Sequence, residues 1–206
     1  MKLYYSKGAC SLAVRIVINE LGIPCEYEAV NLQTKKTAEG ADFYQINPKG
    51  AVPVLQLDTK EIFTENAAIQ QYLADTHKAQ HVLPPIGNMQ RYHVLEWLNF
   101  VATDLHKGCS PLFNPNIPEQ IKEDIFRKIL RSKLSYVEKN LTKKYICGDE
   151  FTLVDGYLFV ILNWMPGLKI DLAEFPMLTS YFARMKTHPS VAKSLKEEGI
   201  VEKQAS

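Results

Sequence analysis

The chain changes its hydrophobic grammar once, and that change limits what it can fold into. Over residues 1–80 short apolar runs alternate with helical periodicity, whereas beyond residue 88 only helical patterns remain. The sequence predicts a strand over Lys2–Tyr5, an apolar helix over 11–21 stopped by Gly22 and Pro24, and a second strand over 26–30. A weak helix around 38–45 leads to a hairpin of 52–57 and 60–63, with Asp58 and Thr59 as its two-residue turn. Ala68, Ile69, Tyr72 and Leu73 recur at helical spacing after Glu65, giving a third helix to about Asp75. The order β-α-β-α-β-β-α describes one α/β sheet domain over 1–80. Pro84, Pro85 and Gly87 give 81–88 the composition of a linker. Helices are then expected over 89–107, 118–141, 152–165 and 176–186, with a short one after Pro189, so that 88–206 forms an all-helical domain.

Composition narrows the function classes. The 206 residues are 46% hydrophobic and 23% charged with a formal net charge of +1, so no overall field favours nucleic acid or an anionic membrane. Lysine pairs such as Lys143-Lys144 read as solvated surface. The N-terminus lacks an apolar signal core and no apolar run reaches ~18 residues, which points to a cytoplasmic protein with no membrane partner. Cys10, Cys25, Cys109 and Cys147 are scattered, without C-x-x-C or zinc spacing, so neither a disulfide framework nor a metal is expected.

Several positions could carry chemistry, and each has a plainer reading beside it. Cys10 falls between a strand and a helix, beside the first amides of that helix, where the dipole favours a thiolate; cysteine is equally common as a small buried hydrophobe. Asn99, Thr103 and His106 share a wedge of roughly 60° on an ideal helix, flanked by Asp104 and Lys107. That stripe suits either a cleft or an ordinary solvent-facing side. Val52-Pro53 opens a strand after Asn47-Pro48-Lys49-Gly50: a cis peptide would expose the Val52 backbone to an extended ligand, and a trans proline would mark a plain edge. Thr64-Glu65-Asn66 offers helix-start amides to a carboxylate and a side chain to an ammonium, or simply a cap with Thr64 as N-cap. Thr152-Leu153-Val154-Asp155 has capping-box spacing and reads as structural.

Together these features resemble one family. The opening Met1-Lys2-Leu3-Tyr4-Tyr5-Ser6-Lys7-Gly8-Ala9-Cys10-Ser11-Leu12-Ala13 is similar to that of Beta-class bacterial glutathione transferases. So are Asn47-Pro48-Lys49-Gly50-Ala51-Val52-Pro53-Val54-Leu55, the run from Glu65 to Asp75, Glu96-Trp97-Leu98-Asn99-Phe100, Phe151-Thr152-Leu153-Val154-Asp155 and Phe175-Pro176. The chain departs from the pattern at Val14-Arg15, where the family often has Pro-His, and at Asn66, where it often has Ser or Gly.

The resemblance implies a thioredoxin-like, glutathione-binding domain over 1–80, an all-helical substrate-binding and dimerisation domain over 88–206, and a cytoplasmic homodimer active in detoxification. It implies that Val52 pairs with the cysteinyl unit of glutathione beside cis-Pro53, that Glu65 and Asn66 hold the γ-glutamyl end, and that Lys35 reaches the glycine carboxylate. Cys10 would face the sulfur and His106 would accept its proton, with Tyr5, Ser11, Asn99, Thr103, Asp104 and Leu105 lining the substrates. A small hydrophobic electrophile would rest on Leu112, Phe113, Trp164 and Met165. The expected chemistry is conjugation of the glutathione thiol, the co-substrate, with no metal; thiol–disulfide exchange or peroxidase activity through Cys10 is a second enzymatic role. The alternative is a non-catalytic glutathione- or ligand-binding protein or regulator on the same fold.

Overall fold

A computed structural model describes residues 1–200. The chain forms two units: Met1–Lys78 together with the segment beginning at Thr187, and Ala79–Lys186.

The first unit is built on a mixed sheet. Its strands are β1 (Lys2–Tyr5), β2 (Glu26–Asn31), β3 (Lys36–Thr37), β4 (Val54–Gln56) and β5 (Ile62–Thr64), in the order β3-β2-β1-β4-β5. Strands β1 and β2 are parallel, with Leu3 opposite Tyr27, and every other pair is antiparallel. Helix α1 (Ser11–Glu20) makes the parallel crossover, and α2 (Asn66–Thr76) follows β5. The apolar run of α1 has no polar face, so Ser11 through Ile18 are all buried.

That burial explains where the chain end goes. The closing helix Pro189–Glu197, expected as part of the helical domain, packs on α1 in the first unit. Arg15 is buried in α1 with its guanidinium 4.4 Å from the Tyr5 ring centre and 3.6 Å from that of Tyr27. It pairs with Glu197 at 3.3 Å and with buried Glu198 at 3.1 Å. Burial pushes the Glu198 carboxyl up, while the Gly8 amide and Arg15 draw it back down. Helical periodicity near 189 predicted the helix but held no signal for its docking partner.

Three local expectations are corrected. The weak helix at 38–45 is only a single turn over Phe43–Gln45, capped by Asp42, and the two-residue β3 precedes it. The hairpin turn is wider than Asp58-Thr59: the Leu57 amide donates to the Glu61 carbonyl, with Lys60 at φ 71°. Thr64 ends β5, and Glu65 takes the N-cap position of α2.

In the second unit α3 (Met89–Phe100) runs through a π-helical stretch, Val101–His106, into α4 (Lys107–Phe113), past the expected end at 107. The next helix is α5 (Glu119–Ile121), a second π-helical stretch Lys122–Arg127, and α6 (Lys128–Asn140). The central α7 (Leu153–Trp164) is buried from Leu153 to Leu162, and α8 is Pro176–Thr187. Asp155 accepts from the Thr152 amide and hydroxyl, the Ile146 amide and the Tyr181 hydroxyl, as the capping-box spacing anticipated for Thr152. The proline stretch at 81–88 is not a loose linker: Val82 and Leu83 are buried, the Val82 carbonyl accepts from the Leu153 amide, and Arg91 donates to the Pro84 carbonyl.

Removing Glu198 leaves buried Arg15 with only the partly exposed Glu197 to match it, and the Gly8 amide without its acceptor. Glu198→Ala is therefore expected to cost about 3–5 kcal/mol of folding free energy, read by denaturant titration.

Candidate active site

Strand β1 delivers the chain to a loop closed on itself. The Ser6 amide donates to Ser11 Oγ at 3.2 Å, Ser11 Oγ donates to the Ser6 carbonyl at 3.3 Å, and Gly8 turns at φ 70°. This loop sets Cys10 immediately before α1, half-buried, with Sγ donating to the Val52 carbonyl at 3.3 Å. Asn66 Nδ2 donates to the Cys10 carbonyl at 2.6 Å, and Gln70 Nε2 donates to Asn66 Oδ1. Two helix N-termini, those of α1 and α2, are thereby tied together beside the Val52 main chain. The Val52-Pro53 peptide is cis, and the Val52 N–H makes no hydrogen bond among the described residues.

The turn Asn47-Pro48-Lys49-Gly50 borders this cluster. Asn47 holds it through its Nδ2 to the Ala51 carbonyl and its Oδ1 to the Lys49 amide. Gly50 sits at φ 59°, and a Cβ there would fall 2.6 Å from the Tyr44 ring, so only glycine fits. Lys35 Nζ donates to the Gly50 carbonyl at 2.8 Å. On the other side Lys49 Nζ meets Thr64 Oγ1 at 2.9 Å and Glu65 Oε1 at 2.5 Å. Glu65 holds a backbone φ of 70°. The first unit therefore brings Cys10, Lys35, Val52, Pro53, Glu65 and Asn66 around one turn and two helix starts.

Two expected members are placed elsewhere. Ser11 is fully buried, its hydroxyl closing the loop onto Ser6. The Tyr5 ring packs edge-on to Tyr27 and against the Arg15 guanidinium.

The helical unit presents the other candidates. Its π-helical stretch breaks the ideal-helix wedge: Asn99 and Thr103 are exposed, while His106 is half-buried. Asn99 Nδ2 donates to the Leu95 carbonyl, Thr103 Oγ1 donates to the Asn99 carbonyl, and Asp104 pairs with Lys133 at 2.9 Å. The Lys133 hydrogen bond holds the Asp104 carboxyl below its usual range. Leu105 is fully buried and belongs to the core instead of a substrate surface; Leu112 and Met165 are buried as well.

His106 Nδ1 lies 2.6 Å from the Tyr157 hydroxyl, and its ring centre is 5.2 Å from that of Trp164, which meets exposed Phe113 at 5.4 Å. Burial, aided by neighbouring Lys107, pushes the imidazole pKa down to about 4, so the ring is neutral at pH 7. Sequence reasoning missed Lys49, although it lies in a quoted motif, and Tyr157, whose helix carried only a core signal. Cys25, Cys109 and Cys147 are pushed up by burial, to about 11, 12 and 12, leaving them as inert thiols. Among the described residues no cluster of His, Cys, Asp and Glu is arranged to hold a metal ion.

Family models agree with this architecture. The glutathione S-transferase N-terminal domain matches residues 1–75, and the glutathione S-transferase C-terminal domain matches residues 100–189. The chain belongs to the glutathione S-transferase family. It is 42% identical to the protein named glutathione S-transferase GstA of Escherichia coli O157:H7 over 97% of this chain and 100% of that one. A sphingomonad glutathione S-transferase solved with glutathione superposes with a TM-score of 0.92 at 38% identity, covering 98% of this chain and 100% of the other. A bacterial beta-class glutathione S-transferase from Sphingomonas chungbukensis superposes with a TM-score of 0.92 at 39% identity over the same shares. This glutathione S-transferase thus shares with the beta-class neighbour the fold that holds Cys10 between β1 and α1.

The folded pKa of His106 lies below its ordinary value near 6.5, so protonation favours the unfolded chain and stability falls as pH drops from about 6.5 towards 4. Nuclear magnetic resonance should find the His106 ring titrating near pH 4; a midpoint near 6.5 would contradict the burial assigned to it.

Proposed function

We propose that the protein binds glutathione along Val52 and joins it through its thiol sulfur to small hydrophobic electrophiles, the thiol proton leaving to a base. The observation that carries this reading is the junction of Cys10, Val52 and Asn66, where a thiol, an edge of main chain and the start of α2 converge. An extended tripeptide can pair with the Val52 main chain as one more strand. Its γ-glutamyl end would find the amides of α2 and the Glu65 carboxylate, and its glycine carboxylate the Lys35 ammonium, which has donors beyond the one on Gly50.

A free thiol titrates near ~8.5, so little thiolate is present at neutral pH without help. In this proposal His106 is the proton acceptor. The ring is neutral at pH 7 and so can accept, and the thiolate formed beside it must draw the imidazole pKa up from about 4 for the proton to stay there. For Nε2 to accept, Nδ1 must carry the hydrogen and donate it to the Tyr157 oxygen at 2.6 Å. Tyr157 then acts as a positioning residue that fixes the tautomer. Cys10, next to the bound sulfur, serves thiol–disulfide exchange: its thiolate attacks a glutathione mixed disulfide, forms a new disulfide with the glutathione sulfur and releases the other thiol. The exposed aromatic Phe113 with Trp164 offers the electrophile an apolar surface.

The same proposal includes a homodimer in the cytoplasm. Exposed Tyr92, Ile121, Ile125 and Ile129 on the helical unit support an interface between copies. A reducing compartment keeps both glutathione and the cysteines of this chain as thiols.

Calorimetry with glutathione and turnover of a chromogenic aryl halide test the reading. Binding with turnover is expected; tight binding with background turnover would favour a carrier or regulator on this fold. Cys10→Ala should keep conjugation and lose disulfide exchange. His106→Ala should return the bound thiol pKa towards ~8.5, followed by the ultraviolet absorbance of the thiolate. An unchanged titration would remove His106 from the role of base.

A further inference from the structure

We propose that Lys49 is an internal competitor for the Glu65 carboxylate: its ammonium holds the position a ligand ammonium must take, and so lowers the affinity for ligands that bring their own positive charge. The inference rests on the reading that Glu65 receives the γ-glutamyl ammonium.

The backbone that carries Lys49 is anchored beside Glu65. It lies in a turn held by Asn47 on both sides and closed by the Gly50 amide on the Asn47 carbonyl at 2.8 Å. A Cβ at Gly50 would meet the Tyr44 ring, so the turn keeps its glycine at φ 59°. Opposite, Thr64 ends β5 and Glu65 caps α2 at φ 70°, so the carboxylate also starts from a set position. The ammonium bridges the two, at 2.9 Å from Thr64 Oγ1 and 2.5 Å from Glu65 Oε1.

Two ammonium groups drawn to one carboxylate repel each other, so an arriving cation weakens or displaces the first. Lys49 and Glu65 are 55% and 72% exposed in their side chains, which places the pair in the weak, solvent-screened class and leaves Lys49 room to swing into water. Displacement is therefore easy for a ligand that replaces the charge. A peptide without an amino group replaces nothing, leaves the Lys49 pair intact and gains nothing from Glu65. The competition therefore falls only on ligands that carry an ammonium, and narrows their advantage over ligands that lack one.

The test measures binding by calorimetry at low ionic strength with glutathione and with an analogue lacking its α-amino group. Wild type, Lys49→Met, Lys49→Arg, Glu65→Gln and the Lys49→Met/Glu65→Gln double variant are compared. Lys49→Met should bind glutathione about two- to fivefold more tightly than wild type, with Lys49→Arg close to wild type. The analogue should bind wild type and Lys49→Met equally, and Lys49→Met should add nothing in the Glu65→Gln background. Equal or weaker glutathione binding by Lys49→Met overturns the proposal, as does equal tightening of both peptides. A wild type that fails to bind glutathione overturns the underlying reading, and the proposal with it. Thermal unfolding of Lys49→Met is expected to match wild type, since the exposed ammonium stabilises little.

Discussion

Helix α1 has no side that water will accept, and the first unit is arranged around that fact. Eight consecutive residues, Ser11 to Ile18, are buried. Each large apolar side chain among them contributes about 1.5–3 kcal/mol when fully buried, so leaving one face of α1 bare is far more costly than the entropy of docking a short helix. The sheet covers one side, α2 another, and the closing helix Pro189–Glu197 the remainder. The one charge inside, Arg15, is matched by Glu197 and Glu198 from that same helix, so apolar cover and charge neutralisation arrive together. A consequence follows for chemistry. The residue just before a helix that cannot move is itself held still, and that residue is Cys10.

The same element decides which candidates could face a ligand. Ser11 begins the buried run, so its hydroxyl had to find a partner inside the fold, and Ser6 supplies it. Glu198 accepts from the Gly8 amide at 2.8 Å, which couples the cap of the closing helix to the loop that presents the thiol. The buried pair is therefore both a stabilising and a positioning contact.

What was legible in the sequence follows the range of the interactions involved. The two-part grammar, the parallel crossover, the helices led by Pro176 and Pro189 and the Asp155 capping contacts rest on signals within a few residues, and each could be read. So could Cys10 at the head of α1. The docking of the closing helix could not, because α1 and residue 189 are far apart and the amphipathic pattern names no partner. The π-helical stretch at 101–106 was invisible for a different reason: helical periodicity assumes ideal pitch, and nothing local marks a wider turn across which Asn99 and Thr103 are exposed and His106 is half-buried. Leu105 was placed among the substrate-lining residues only by the family resemblance, and it is core. Lys49 was quoted within a motif yet assigned nothing, as its contact with Glu65 depends on a hairpin end meeting a turn.

Positive φ values sharpen the distinction between strain and function. Lys35, Lys60, Glu65, Lys78 and Lys169 all adopt left-handed backbone, which disfavours any residue with a Cβ by roughly 1–2 kcal/mol. Strain alone marks no site, for Lys60 merely turns a hairpin. Lys35 and Glu65 differ in what their side chains meet: the Gly50 carbonyl in one case and the Lys49 ammonium in the other, on either side of one rigid turn. Glycine at either position would relieve the backbone and delete the charge. The chain instead retains a cation and an anion at these two strained points, beside the main chain of Val52. A strained backbone that keeps a charge in place, next to an edge able to pair with a peptide, is what the proposed recognition of a zwitterionic ligand requires.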